Sequence, residues 1–389
     1  MPGFELIGLE EKRLVDEIFE QSNGVLFAHG FAPLRNGRFR VREFEKAFAE
    51  KVGSAHAQAV TSGTMAQYVA MLAMGVRPGD EVITQSFTFV ATVETIVAMG
   101  AVPVIVDIDD TYNMDPVALE KAITPRTKLI IPVHMLGNVA DMERIQAIAK
   151  RHRIPVLEDS CEALGASYHG RYAGTLAEAG VYSLDFAKTI TAGEGGMVVT
   201  NDPAIHKFCW EFHDHGHENN PKLPKGRDTR TMPGLNLRMT EMQAAVGMAQ
   251  LQKLDRIVET NRRNKKALKE ILAQSDKICF RRITDEAGDL ADTLIFNFAT
   301  KELCDAFLKS YLAAGYITKN VPDAIDWHFA GTWNHMFKNV PVYRDTWRTA
   351  WSKSAELLGR SVAVPVFVKK SVEDMQAQGE AMLKLLQQF

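Results

Sequence analysis

VYSLDFAKTITAGEGGMVVTN, residues 181–201, sets two apolar runs, VYSLD (181–185) and MVVTN (197–201), on either side of Lys188 and a glycine-rich turn, Gly193-Glu194-Gly195-Gly196. Short β-branched runs bounded by glycine predict strands. Upstream lie five more runs of the same kind: AQAVT (57–61), EVITQ (81–85), PVIVDI (103–108), KLIIPVH (128–134) and PVLED (155–159). Helix-like segments separate them, which is the pattern of a sheet covered by helices on both faces. Several runs are apolar almost throughout, as expected of strands buried on both sides. The prediction is therefore an α/β domain built on a seven-stranded, mostly parallel sheet.

Thr240-Glu241-Met242-Gln243 has the spacing of a capping box, and helical character continues to about Leu272, predicting one long helix. Beyond it, ICFRRI (278–283) and LIFNFAT (294–300) predict strands, 301–314 a helix ended by Gly315, and 371–388 a closing helix. Together these predict a smaller α+β domain, with a division into 1–250 and 251–389. The polar stretch 213–231 predicts an irregular loop.

With 389 residues, 46% hydrophobic and 24% charged, the chain has the composition of a globular protein with a large core. Its formal net charge is −3 and it shows no basic stripe, so nucleic acid is not an expected partner. Cys161, Cys209, Cys279 and Cys304 are scattered, with no CxxC pair, which points to a reducing compartment. MPGFELIGLEEKRLVDEIFE (1–20) lacks an apolar region behind a basic start, and no run approaches membrane-spanning length. The expectation is a cytoplasmic protein without a membrane segment.

Three places carry chemistry. Thr61-Ser62-Gly63-Thr64 follows a strand and opens a helix, where unpaired N–H groups and glycine admit an anion; a simple N-cap is the alternative. Asp159 ends the strand PVLED, where it either faces a ligand or caps a following helix. Lys188, just past a buried strand, is either desolvated enough to be a neutral amine nucleophile or a solvated loop lysine. Anion cradle, carboxylate and amine, in that order, are the groups that pyridoxal phosphate requires for its phosphate, its ring nitrogen and its covalent attachment. His213, His215 and His217, with His206 nearby, fit no zinc spacing, so no metal is expected and the histidines are read as substrate-loop or exposed residues.

VTSGT (60–64), RPGDEVITQSFTFVAT (77–92), IPVLEDSCEALGASYHGRYAGT (154–175), KTITAGEGGMVVTND (188–202) and RMTEMQAAVGMAQLQKLD (238–255) resemble the DegT/DnrJ/EryC1/StrS family of sugar aminotransferases over nearly the whole chain. The resemblance implies the fold of type I, aspartate aminotransferase-like enzymes, with pyridoxal 5′-phosphate carried on Lys188 and its ring nitrogen held by Asp159. It implies that Gly63, Thr64 and Ser183 bind the phosphate and that Phe89 lies against the pyridine face, an apolar core role for Phe89 being the alternative. Asn236 and Arg238 fall where the family reaches into the neighbouring subunit, implying a homodimer with shared sites. Glu162 stands where relatives have glutamine or histidine near the phenolic oxygen, and it would have to be protonated to donate there. The implied reaction moves an amino group, with L-glutamate as donor, to a keto or aldehyde sugar. The leading substrate is an oxidised eight-carbon acid sugar of lipopolysaccharide, and a nucleotide-linked keto-sugar is the alternative. Lys188 argues against a sugar dehydratase, whose members carry histidine there, and the complete residue set argues against a non-catalytic regulator. GEGG is not GxGxxG, so a nicotinamide enzyme is not expected.

Overall fold

The computed structural model describes residues 3–220, 222–223 and 227–388. The large sheet begins with β1 (His56–Val60), β2 (Glu81–Gln85), β3 (Val102–Val106), β4 (Thr127–Ile131) and β5 (Leu157–Asp159). A small ribbon of β6 (Ser167–Tyr168) and β7 (Arg171–Tyr172) interrupts the series before β8 (Ala179–Ser183) and β9 (Gly196–Thr200) complete it. Hydrogen bonding gives the orders β1-β9-β8-β5 and β3-β2-β4. Parallel bridges Ile130↔Val156 and Val133↔Asp159 join the two halves, so seven strands run β1-β9-β8-β5-β4-β2-β3. Only β9 runs against its neighbours. The seven predicted strands are all present within a few residues of their expected ends.

The strand faces are buried because helices pack on both sides, among them Gly63–Ala73, Ala91–Ala98 and Met142–His152. Beyond the large sheet, β10 (Ile278–Phe280), β11 (Thr293–Phe298) and β12 (Ser361–Pro365) form an antiparallel sheet in that order, packed through Phe296, Phe298 and Phe307. ICFRRI is shorter as a strand than predicted, since Arg281 turns inward and donates to the carbonyls of Met135 (3.0 Å) and Leu136 (2.7 Å). LIFNFAT also stops early, because Thr300 caps the helix Lys301–Ala313. β12 and the β6–β7 ribbon were not predicted.

The expected single helix from 240 to 272 is two helices, Glu241–Leu251 and Leu254–Leu272. At the break, Lys253 donates to the Leu6 carbonyl (2.6 Å) and to Glu11 (2.7 Å), tying the joint to the N-terminal segment. The capping box at Thr240 is formed as predicted. The predicted loop 213–231 is loosely paired, with bridges Asp214↔Asn236 and His217↔Arg230; its residues 221 and 224–226 lie outside those described. Among the described residues, no helix is long and apolar enough to cross a membrane.

Candidate active site

β1, β5 and β8 run parallel to one another, so their carboxyl ends lie along one edge of the sheet, where open α/β sheets bind ligands. A cavity of about 380 Å³ opens there, lined by Gly63, Thr64, Phe89, Asp159, Glu162, Ser183 and Lys188 among others. Seven of the nine residues singled out in the sequence thus come together. Asn236 and Arg238 do not line the cavity. Asn236 pairs with Asp214 in the 213–238 segment, while Arg238 is ion-paired to Asp214 and lies over the Phe27 ring at 4.8 Å.

The anion cradle follows directly from β1. Ser62 caps the helix Gly63–Ala73 by accepting from Met65 N–H (3.2 Å), and its carbonyl takes the N–H of Ala66 (2.9 Å). The N–H groups of Gly63 and Thr64 are the ones left for a ligand, at the positive end of the helix. The N-cap alternative is therefore realised together with an opening onto the cavity. Glycine is required at 63 because a Cβ would stand 2.8 Å from the Ser183 Cβ and 3.0 Å from the Cys161 Sγ. Gly196 meets the same constraint, since a Cβ there would lie 2.1 Å from the Ser62 carbonyl oxygen.

Asp159 is 2% exposed, and its Oδ2 accepts from Gln67 and from the Thr92 hydroxyl (2.8 Å). Its Oδ1 accepts from Cys161 N–H (3.1 Å), but no helix follows, so the helix-cap alternative fails. Two fixed donors on one oxygen orient the carboxylate toward the cavity it lines.

Lys188 is nearly buried and sits 3.8 Å from Glu162. Burial alone would lower its pKa, but Glu162, with Cys161, Asp185 and Asp159, outweighs burial and raises it. Of the two readings of Lys188, the structure buries the lysine but surrounds it with carboxylates that favour its ammonium form. Burial likewise pushes the Glu162 carboxyl up, yet Lys188, His328 and Lys319 hold it well below the usual carboxylate range. Held this way, Glu162 faces its neighbours as an acceptor. Its oxygens accept from Asn320 (3.3 Å) and Leu136 N–H (3.3 Å).

Phe89 is 39% exposed at the cavity, not a core residue, and its ring stacks on Trp327 (6.1 Å, 9°) and tilts over His328 (5.4 Å). Backbone bonds Thr88 N–H to the His328 carbonyl (2.9 Å) and Val90 N–H to the Trp327 carbonyl (2.8 Å) fix that wall. Gln67, Thr92, Asn320 and His328 were missed from the sequence. The last two lie in the stretch NVPDAIDWHFAGTWNHMF (320–337). Asn320 adopts a left-handed backbone (φ 62°), a conformation that asparagine tolerates better than most residues.

The histidines take other positions. His213 is buried, its Nε2 3.0 Å from the Nε2 of His29, and burial lowers its pKa to about 4. His217 pairs with Asp228 (2.8 Å), His206 stacks on His56 (4.5 Å), and His215 is exposed.

These residues fit pyridoxal 5′-phosphate: an anion cradle that a methyl group at 63 would fill, an oriented buried carboxylate, and an amine across the same cavity. Comparison with known proteins agrees. GDP-perosamine synthase of Caulobacter vibrioides is 45% identical over 220 residues, 56% of this chain, and the chain spans 58% of that relative's length. A pleiotropic regulatory protein of Geobacillus stearothermophilus is 38% identical over 274 residues, 70% of this chain and 69% of the relative. The crystal structure of 3-amino-5-hydroxybenzoic acid synthase superposes with a TM-score of 0.84 at 28% identity, covering 100% of this chain and 99% of that one. The fold is that of type I pyridoxal-phosphate aminotransferases. The model of the DegT/DnrJ/EryC1/StrS aminotransferase family matches residues 30–382, and the chain belongs to that family.

Proposed function

We propose that the protein is a pyridoxal-phosphate-dependent aminotransferase that moves an amino group from L-glutamate to a keto or aldehyde sugar. The observation that carries this reading is the convergence of Gly63, Asp159 and Lys188 on one cavity. When bound, the cofactor supplies a reactive carbonyl and an electron-withdrawing ring. The Gly63 and Thr64 N–H groups and Ser183 bind its phosphate. Asp159, oriented by Gln67 and Thr92, keeps the ring nitrogen protonated. Phe89 covers one wall of the cavity, and the Lys188 amine, once free, moves the proton between the substrate carbon and the cofactor because it is tethered beside both.

For the acceptor, the leading reading is the 8-oxo form of 3-deoxy-manno-octulosonate, giving 8-amino-3,8-dideoxy-manno-octulosonate for lipopolysaccharide. Its support is chemical: arginines of the 213–238 segment, among them Arg230 and Arg238, suit a free sugar carboxylate. The 45% identity to a GDP-perosamine synthase favours a second reading, a nucleotide-linked keto-sugar. We also propose a cytoplasmic homodimer in which Asn236 and Arg238 complete the neighbour's site, supported by their absence from the lining of this chain's own cavity. A panel of both acceptor types with L-glutamate, scored by 2-oxoglutarate release, tests the reading. Release with the octulosonate alone supports the first acceptor, release with a nucleotide sugar alone the second, and none with any carbonyl acceptor overturns aminotransfer.

A further inference from the structure

Three groups converge on one oxygen of Glu162: Lys188 Nζ at 3.8 Å, His328 Nε2 at 3.5 Å and Asn320 Nδ2 at 3.3 Å, all on Oε1. The geometry of His328 fixes where its protons belong. Its Nδ1 lies 2.7 Å from the Ala324 carbonyl, which can only accept, so Nδ1 carries a hydrogen. Its Nε2 faces a carboxylate oxygen. Were neither of that second pair protonated, lone pair would face lone pair inside the protein, where His328 is 6% and Glu162 7% exposed. One proton therefore belongs between them. The ring cannot easily turn away, because the backbone on both sides of it is bonded to the Thr88–Val90 segment and Phe89 lies against it.

We propose that His328 is the standing counter-ion of Glu162, the two sharing one proton, so that Lys188 can lose its charge without stranding a buried carboxylate. An ammonium at Lys188 and an ionised Glu162 balance each other only until Lys188 bonds to a ligand. His328 then keeps Glu162 paired, and the site avoids an uncompensated buried charge. In this role His328 and Glu162 are positioning residues. The charged groups that face the pair are Lys188, Lys319 and Arg281, and those that face Lys188 are Glu162, Asp185 and Asp159, with the neutral Cys161 thiol beside them. Only the naming of Lys188 as the reacting amine rests on the proposed function; the shared proton does not.

Two measurements test the proposal. Nitrogen NMR of the full-length, histidine-labelled protein without cofactor should show both ring nitrogens of His328 protonated at pH 7.5. In Glu162→Gln the same ring should become neutral, with only Nδ1 protonated; this variant also assigns the signal if His328→Gln fails to fold. A singly protonated His328 in the unaltered protein overturns the shared proton, whatever reaction the protein performs. The second measurement is the pH titration of the visible absorbance of the cofactor-loaded protein. Glu162→Gln should lower its midpoint and His328→Gln raise it, each by about one pH unit, the effect of a charge at this distance. Midpoints that stay put, or move in the same direction, overturn the action on Lys188. Reductive trapping of the cofactor on Lys188 is a separate outcome, so failure of the aminotransferase reading and failure of the counter-ion are told apart.

Discussion

Lys188 Nζ stands 3.8 Å from Glu162 Oε1, and the charge of that carboxylate, with its neighbours, reverses the effect of burial on the amine. The lysine is held as an ammonium at the cavity wall and must give up a proton before it bonds to a carbonyl carbon. It is also the amine that the cradle and Asp159 face across one cavity.

The purified protein should accordingly be yellow, and borohydride should fix the cofactor covalently on Lys188. Peptide mapping checks this, and an adduct on any other lysine would discredit the whole site. Lys188→Ala should abolish steady-state turnover while cofactor still binds through the Gly63 helix end.

Asp159→Asn should lower turnover by at least about 100-fold with little change in fold, since a neutral amide cannot hold the ring nitrogen protonated. Thr92→Val removes one of the two donors on Asp159 Oδ2 and should cost less, about 10-fold or somewhat more, on the scale of one hydrogen bond to a charged group. Rates for both variants under saturating cofactor decide the matter; a near-normal Asp159→Asn enzyme would reduce the carboxylate to a turn-forming role.

If Asn236 and Arg238 complete the neighbour's site, activity depends on assembly. Mixing Lys188→Ala protein with Arg238→Ala protein and allowing subunits to exchange should restore up to about half of the normal activity per mixed dimer, because one site collects both lesions and the other neither. Asn236→Ala can be added if Arg238→Ala alone is too mild. Absence of recovery, with exchange verified independently, would put every ligand in a single chain.

His213 makes stability fall on acidification. Burial lowers its folded-state pKa from 6.5 to about 4. Between those values the unfolded chain binds a proton that the folded chain refuses, so its contribution is fully present above about pH 6.5 and is lost as pH falls toward 4. The slope for one such histidine is at most about 1.4 kcal/mol per pH unit. Melting temperatures of the protein and of His213→Gln between pH 7 and 4 should converge as the pH drops; parallel curves would mean that His213 does not titrate in this way.

How much of this was legible in the sequence depended on how local each feature is. Gly63, Asp159 and Lys188 each sit at or just past the end of a strand that its own apolar run announces, so their common edge followed from a parallel sheet. Thr92 and Gln67 carry no such mark, because their bond to Asp159 exists only once two helices pack against the sheet. His328 reaches the cavity through backbone pairing with Thr88, 240 residues away, which no local pattern encodes. The charge state of Lys188 stayed open for the same reason: burial is visible in a sequence, whereas the carboxylate opposite it is placed by the fold. The break at Gln252–Lys253 was hidden by uninterrupted helical residues.

The pairing of residues 86–90 with 327–330 is made by main-chain atoms: Thr88 to His328, Val90 to Trp327 and Ala330 to Ser86. Such bonds take no account of which side chains the strips carry. The side chain at 327 can therefore change while the strips keep their alignment, whereas His328 is tied to its place by its contact with Glu162. The cavity is built like a frame with an interchangeable panel: the frame holds Gly63, Asp159 and Lys188 in place for the chemistry, and new acceptors can be accommodated by refitting the panel alone.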